Sequence, residues 1–137
     1  MLLFGPGVSM KVLICGSRTM PWKFQDLVLE TIRGLGPQIE LILGGANGAD
    51  TLAHLAGIHL KLPYRRFEAD WETHGKRAGP IRNQRMLDEG PELVVAFHPI
   101  TGCTSGTLDM IRRAQAANVP VRVVTYDLAE PKLEDEV

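Results

Sequence analysis

Short unbroken runs of apolar residues alternate along this chain with longer stretches in which apolar positions recur every three or four residues. Val12-Leu13-Ile14-Cys15, ended by Gly16, is the first such run. A run that is apolar at every position suits a strand covered on both faces. Ile39–Leu43 before Gly44-Gly45, Leu93–Phe97 before His98, and Val119–Val124 read the same way, with Tyr64–Phe67 as a weaker fifth strand. Between them, Trp22–Leu35 carries Phe24, Leu27, Val28 and Ile32 on one helical stripe, stopped by Gly34, Gly36 and Pro37. Gly48–Leu60 reads as an Ala- and Leu-rich helix. A helix with Pro80 in its first turn carries Ile81, Met86 and Leu87, and Thr107–Asn118 carries Leu108, Ile111, Ala114 and Ala117. Ala69–Gly79 has no such period and is expected to be a long polar connection.

Five strands alternating with four helices predict an α/β fold, a Rossmann-like three-layer sandwich with a parallel sheet and helices on both faces. The expected domain spans residues 10–126. Residues 1–9 are expected to be an extension, with Met10 a plausible second start, and 127–137 a disordered acidic tail. In such sheets ligands bind beyond the carboxyl ends of the strands, where the strand order reverses.

The residues at those ends suit an anion. Gly16-Ser17-Arg18 follows the first strand, Gly44-Gly45-Ala46-Asn47-Gly48-Ala49-Asp50 the second, and Thr104-Ser105-Gly106-Thr107 opens the last helix. Glycines let main-chain N–H groups approach phosphate oxygens, helix N-termini add unpaired donors, and the hydroxyls of Ser17, Thr104, Ser105 and Thr107 add more. One such turn is ordinary strand-to-helix geometry; three on one edge make a phosphate-binding rim the expectation. Neither a Walker A lysine nor GxGxxG spacing is present. From the polar connection, Trp71 is a candidate to stack on a base or to anchor the loop. Lys76, Arg82 and Asn83 are candidates to meet an anion, Arg82-Asn83 being placed in a helix's first turn. Asp50 either caps its helix or bonds a ribose hydroxyl, and His54, four residues on, is expected to pair with it.

Net charge is −1 and aromatic residues are 6% of the chain, which argues against a nucleic-acid backbone as the partner. The two cysteines, Cys15 and Cys103, form no CxxC pair and no disulfide framework, so a reducing, cytoplasmic setting is expected. No apolar run approaches the ~18 residues of a membrane helix, and no His/Cys/Asp spacing suggests a metal site. No cofactor is expected.

MKVLICGSR, GGANGAD, ADWETHGKRAGPIRN and the SGT opening a helix occur in this order between Met10 and Val124, and together resemble the SLOG superfamily, more closely its YspA-related branch of unknown biochemical function. The resemblance implies a Rossmann-like fold that binds nucleotides or their derivatives, in enzymes and in sensors, and commonly dimerises through helices. The superfamily's Lonely-guy-type phosphoribohydrolases cut the N-glycosidic bond of nucleoside monophosphates with a PGGxGTxxE motif and an RKxxM motif. Here Gly106-Thr107 matches the GT, Met110 stands at the glutamate, and Arg82 takes the arginine's place. Half of the catalytic pair is present and half is replaced.

Three functions follow as expectations. The first is a sensor or binding module for a nucleotide-like phosphate ligand at the rim. The second is an N-glycosidic hydrolase using Arg82 with Asp70, Asp50 or Asp109 as the carboxylate. The third is single-stranded DNA binding, as in the DNA-processing protein A relatives.

Overall fold

A computed structural model describes residues 9–129. The expected extension and acidic tail therefore fall outside the described residues, apart from Ser9 and residues 127–129.

β1 (Met10–Gly16), β2 (Ile39–Gly44), β3 (Tyr64–Phe67), β4 (Leu93–Pro99) and β5 (Val121–Tyr126) form one sheet in the order β3-β2-β1-β4-β5. Every neighbouring pair is parallel; Val12 is in register with Leu41 on one side of β1, and Ile14 with Val95 on the other. Alternation along β1 explains its unbroken apolar run. Val12 and Ile14 face α1 (Gln25–Arg33) and α2 (Ala49–His59), in a cluster with Val28, Ile32, Leu52 and Ala53. Leu13 and Cys15 face α4 (Ala78–Leu87) and α5 (Ser105–Ala116), in a cluster with Met86, Leu87, Met110 and Ala114. Both faces of β1 are thus removed from water, each large side chain stabilising the fold by roughly 1.5–3 kcal/mol. The expected α/β sandwich with helices on both faces is the fold found.

Several boundaries differ from expectation for identifiable reasons. The first helix begins with a 3-10 turn, Trp22–Phe24, after the extended Pro21, and becomes α-helical only at Gln25. The polar connection is not a loop. Asp70 accepts a hydrogen bond from the Thr73 N–H at 3.1 Å and starts the one-turn helix α3 (Trp71–His74), a 3-10 turn (Gly75–Arg77) follows, and α4 begins directly after it. None of the residues from Trp71 to Arg77 is buried, so no apolar stripe existed to read. α5 starts at Ser105, two residues before the expected Thr107, because Thr104 takes the N-cap position. β4 runs on through Pro99, and β5 begins at Val121 because Asn118, at φ 59°, terminates the preceding turn. Among the described residues no helix is long and apolar enough to cross a membrane.

Candidate functional site

The chain builds β1, β2 and β3 toward one edge, then β4 and β5 toward the other, so the order reverses between β1 and β4. Loops leaving β1 and β4 must diverge there, opening a crevice. Backbone bonds join its walls: the Ser17 N–H donates to the Phe97 carbonyl at 3.0 Å, and the Ser17 carbonyl accepts the Ala49 N–H at 3.0 Å. Gly48 lets the latter contact form. Its φ is 72°, and a Cβ there would strike the Ser17 carbonyl oxygen and, at 2.6 Å, the Arg18 carbonyl carbon.

A narrow cleft of ≈ 40 Å³ lies in this crevice. Gly16 and Arg18 from the β1 exit, Gly44 and Asp50 from the β2 turn, Arg82 from α4, and Thr104, Gly106 and Thr107 from α5 all contribute to its walls. The volume suits a phosphate-sized group rather than a whole nucleotide. A second, wider cleft of ≈ 200 Å³ adjoins it, sharing Arg18, Ala46 and Arg82 and adding Gly45, Glu68 and Trp71.

Arg82 and Asp50 both lie over Gly44, where a Cβ would come within 2.7 Å of Arg82 Nη1 and of Asp50 Oδ2. Arg82 Nη1 donates to the Phe67 carbonyl at 3.4 Å and Nε to Asn83 Oδ1 at 3.3 Å. Arg82 is the fifth residue of α4, not a first-turn residue as expected, because the helix begins at Ala78; it meets the cleft by side-chain reach. Asn83, 6% exposed, ties α4 to α5 by donating to the Gly106 carbonyl at 3.2 Å and to Asp109 Oδ2 at 3.0 Å.

Asp50 is 7% exposed and accepts the Ala46 N–H at 3.2 Å. The glycine-rich turn after β2 therefore already holds an anion, the protein's own carboxylate. Burial pushes the Asp50 carboxyl up to about 6, against the lowering influence of the Arg82 guanidinium and the Ala46 N–H. One first-turn amide of α2 is also engaged, since the Ala49 N–H donates to the Ser17 carbonyl. At α5, by contrast, the first-turn N–H groups have no partner within the helix, by helix geometry, and the Thr104 and Thr107 hydroxyls stand 3.1 Å apart beside them. An incoming anion is best met between α5 and Arg82. Cys15 also lines the narrow cleft; burial and the Asp50 carboxylate raise its thiol well above the ordinary range, so it offers a neutral wall and no thiolate.

Other expected site residues lie elsewhere. Asp70 is exposed at the start of α3, its carboxyl held low by the hydroxyl and N–H of Thr73. Asp109 accepts from Arg113 Nε at 2.9 Å as well as from Asn83, and so braces the two helices. Lys76 is exposed on the 3-10 turn, outside both cleft walls. Ser17 is buried with its hydroxyl 3.0 Å from that of Thr19, and Ser105 is exposed beside the cleft mouth. His54 does not bond Asp50; its ring lies against Tyr64, centroids 4.5 Å apart. Met110 is 1% exposed within the α4–α5 core and, unlike its core neighbour Met86, is not part of the cleft wall. Trp71, 47% exposed, lines the wider cleft with the Arg18 guanidinium 5.2 Å from its ring centroid. Glu68 and Met86 line the clefts without having been singled out from the sequence. Glu68 directly follows the end of β3, a position that the strand-end rule would have marked.

Comparison with known proteins places the geometry in context. A family model described as the YspA, cpYpsA-related SLOG family matches residues 10–74. Gene 61 protein of Mycobacterium phage D29 is 35% identical over 122 residues, an alignment spanning 81% of this chain and 93% of the phage protein. Among solved structures, DNA processing protein A from Streptococcus pneumoniae superposes with a TM-score of 0.72 at 19% identity, covering 89% of this chain and 52% of that one. The chain thus spans about half of that protein, and the likeness is one of fold.

Proposed function

The chain belongs to the YspA-related SLOG family, and from that premise we propose that it binds a nucleotide, or a phosphate ligand derived from one, at the crevice between β1 and β4. One observation carries the proposal: Arg82 and the start of α5 converge on a phosphate-sized cleft that opens into a wider one walled by Trp71. In this arrangement the phosphate takes the α5 amides, the Thr104 and Thr107 hydroxyls and Arg82. Asp50, opposite, accepts a ribose hydroxyl, and Trp71 faces the base.

The test is thermal unfolding in the presence of phosphorylated ligands at millimolar concentration. A ligand at a hundred times its dissociation constant stabilises the folded state by about 2.7 kcal/mol. Stabilisation by at least one nucleotide is expected, and Arg82→Ala is expected to weaken it about tenfold or more, since hydrogen bonds to charged groups contribute ~1.5–3 kcal/mol. Absence of any shift with nucleoside mono- and diphosphates and ADP-ribose-like compounds would overturn the proposal.

A second reading, N-glycosidic hydrolysis, draws support from Asp50. It is a buried carboxylate with its proton affinity raised to about 6, on the cleft wall near Arg82. A group that titrates near neutrality is suited to acid–base work, or to stabilising an oxocarbenium-like transition state in its ionised form. Release of ribose 5-phosphate or a free base, lost in Asp50→Asn, is the expected sign; unchanged nucleotides after prolonged incubation retire this reading. Single-stranded DNA is the partner with the least support, because the net charge is −1. A gel shift at low salt that fades steeply with added salt would reinstate it.

A further inference from the structure

Resting on the nucleotide reading above, we propose that Glu68 selects the base: its carboxylate accepts from the paired ring N–H and exocyclic amine of a guanine-type edge, which makes guanine nucleotides the preferred ligands. Glu68 follows the end of β3 and lines the wider cleft together with Trp71 and Arg18. Its carboxylate occupies the space that a Cβ on Gly45 would fill, so the absence of a side chain at Gly45 lets the acidic group lie over the glycine turn. Arg66 Nη2 pairs with its Oε1 at 3.1 Å. A carboxylate has about four lone-pair sites, so this ion pair leaves acceptor capacity on a group that lines the cleft.

The base edges answer such an acceptor differently. Guanine presents two adjacent donors, matched to the two oxygens of a carboxylate. Adenine and cytosine each present one amine beside a ring-nitrogen lone pair, which a carboxylate repels. Uracil presents one ring N–H flanked by two carbonyls. The Trp71 indole supplies a stacking surface that any base would use, so discrimination must come from the edge. Arg18 marks that surface, its guanidinium 5.2 Å from the ring centroid, the separation of a cation–π contact. The Glu68 side chain is 67% exposed, so water competes for it and the preference is moderate rather than absolute.

The experiment follows Trp71 fluorescence in a Trp22→Phe background, which leaves one of the two tryptophans as reporter. The full chain is titrated with GMP, AMP and 2′-deoxy-GMP. GMP is expected to bind about tenfold or more tighter than AMP, and Glu68→Gln is expected to leave the ratio of GMP to 2′-deoxy-GMP affinity unchanged. Glu68→Gln sets an amide donor against a donor edge and brings the GMP:AMP ratio near one. Gly45→Ala, whose new Cβ would displace the carboxylate, does the same from a different residue. Equal binding of GMP and AMP, still dependent on Arg82, would overturn the role of Glu68 while leaving the phosphate site intact. A preference for GMP over 2′-deoxy-GMP that disappears in Glu68→Gln, with indifference to the base, would also overturn it by assigning the Glu68 carboxylate to the ribose. Failure of every nucleotide to bind wild type would remove the underlying reading and this one together.

Discussion

Asp50 sits between opposing influences: its burial disfavours ionisation, while Arg82 and the Ala46 N–H favour it, and burial prevails to leave the carboxyl titrating at about 6. The unfolded chain releases that proton near 3.8, so between the two values the folded state holds a proton that the unfolded state has lost. Stability from this group is therefore complete below about pH 4 and fades as pH rises to about 6, an effect of at most about 3 kcal/mol. Asp50→Asn is expected to remove that slope and to raise stability at about pH 8 by roughly 1–3 kcal/mol; urea unfolding at several pH values measures it. A variant that keeps the wild-type slope would show that Asp50 is ionised throughout. At this scale the sequence was partly legible. Gly44 and Thr107 stand at a strand end and in a helix's first turn, whereas Arg82, read as a first-turn residue, is the fifth residue of α4. That Asp109 would be engaged by Arg113 and Asn83, while Asp50 filled its own glycine turn, depended on which face of each helix met its neighbour.

The junction of β1, β2 and α2 hangs on one backbone conformation. Gly48 stands at φ 72° with the Ser17 carbonyl beside its Cα, in a region of backbone space that side chains avoid. Gly48→Ala combines that strain with a backbone collision, and is expected to cost roughly 2–4 kcal/mol. The same change should weaken ligand-dependent stabilisation beyond that loss, since the Ser17–Ala49 link fixes the Arg18 loop; differential scanning calorimetry with and without ligand separates the two effects. Strands were readable because both sheet faces are buried, which made their runs unbroken. α3 was not, because all four of its residues are exposed and only the Asp70–Thr73 cap declares it.

Across the whole molecule, strand order decides what a partial chain retains. Residues 10–74, the part matched by the family model, hold β1, β2 and β3 with α1 and α2. They lack β4, whose pairing covers the second edge of β1, and they lack Arg82, Asn83 and the α5 start. The order β3-β2-β1-β4-β5 could be inferred only as a class from the sequence, since alternating strands and helices do not say where the chain turns back. Cutting after Arg77 would strip the sheet down its middle. Leu13 and Cys15 would lose the Met86 and Met110 side chains that cover them, and a long flat apolar strand would be offered to any neighbour. Such a fragment is expected to elute as aggregates in size-exclusion chromatography, whereas a monomer that melts cooperatively would contradict this. The most recognisable stretch of the chain is thus no miniature of the whole. Its signature motifs make one jaw, and the vice closes only with the half that the family model does not span.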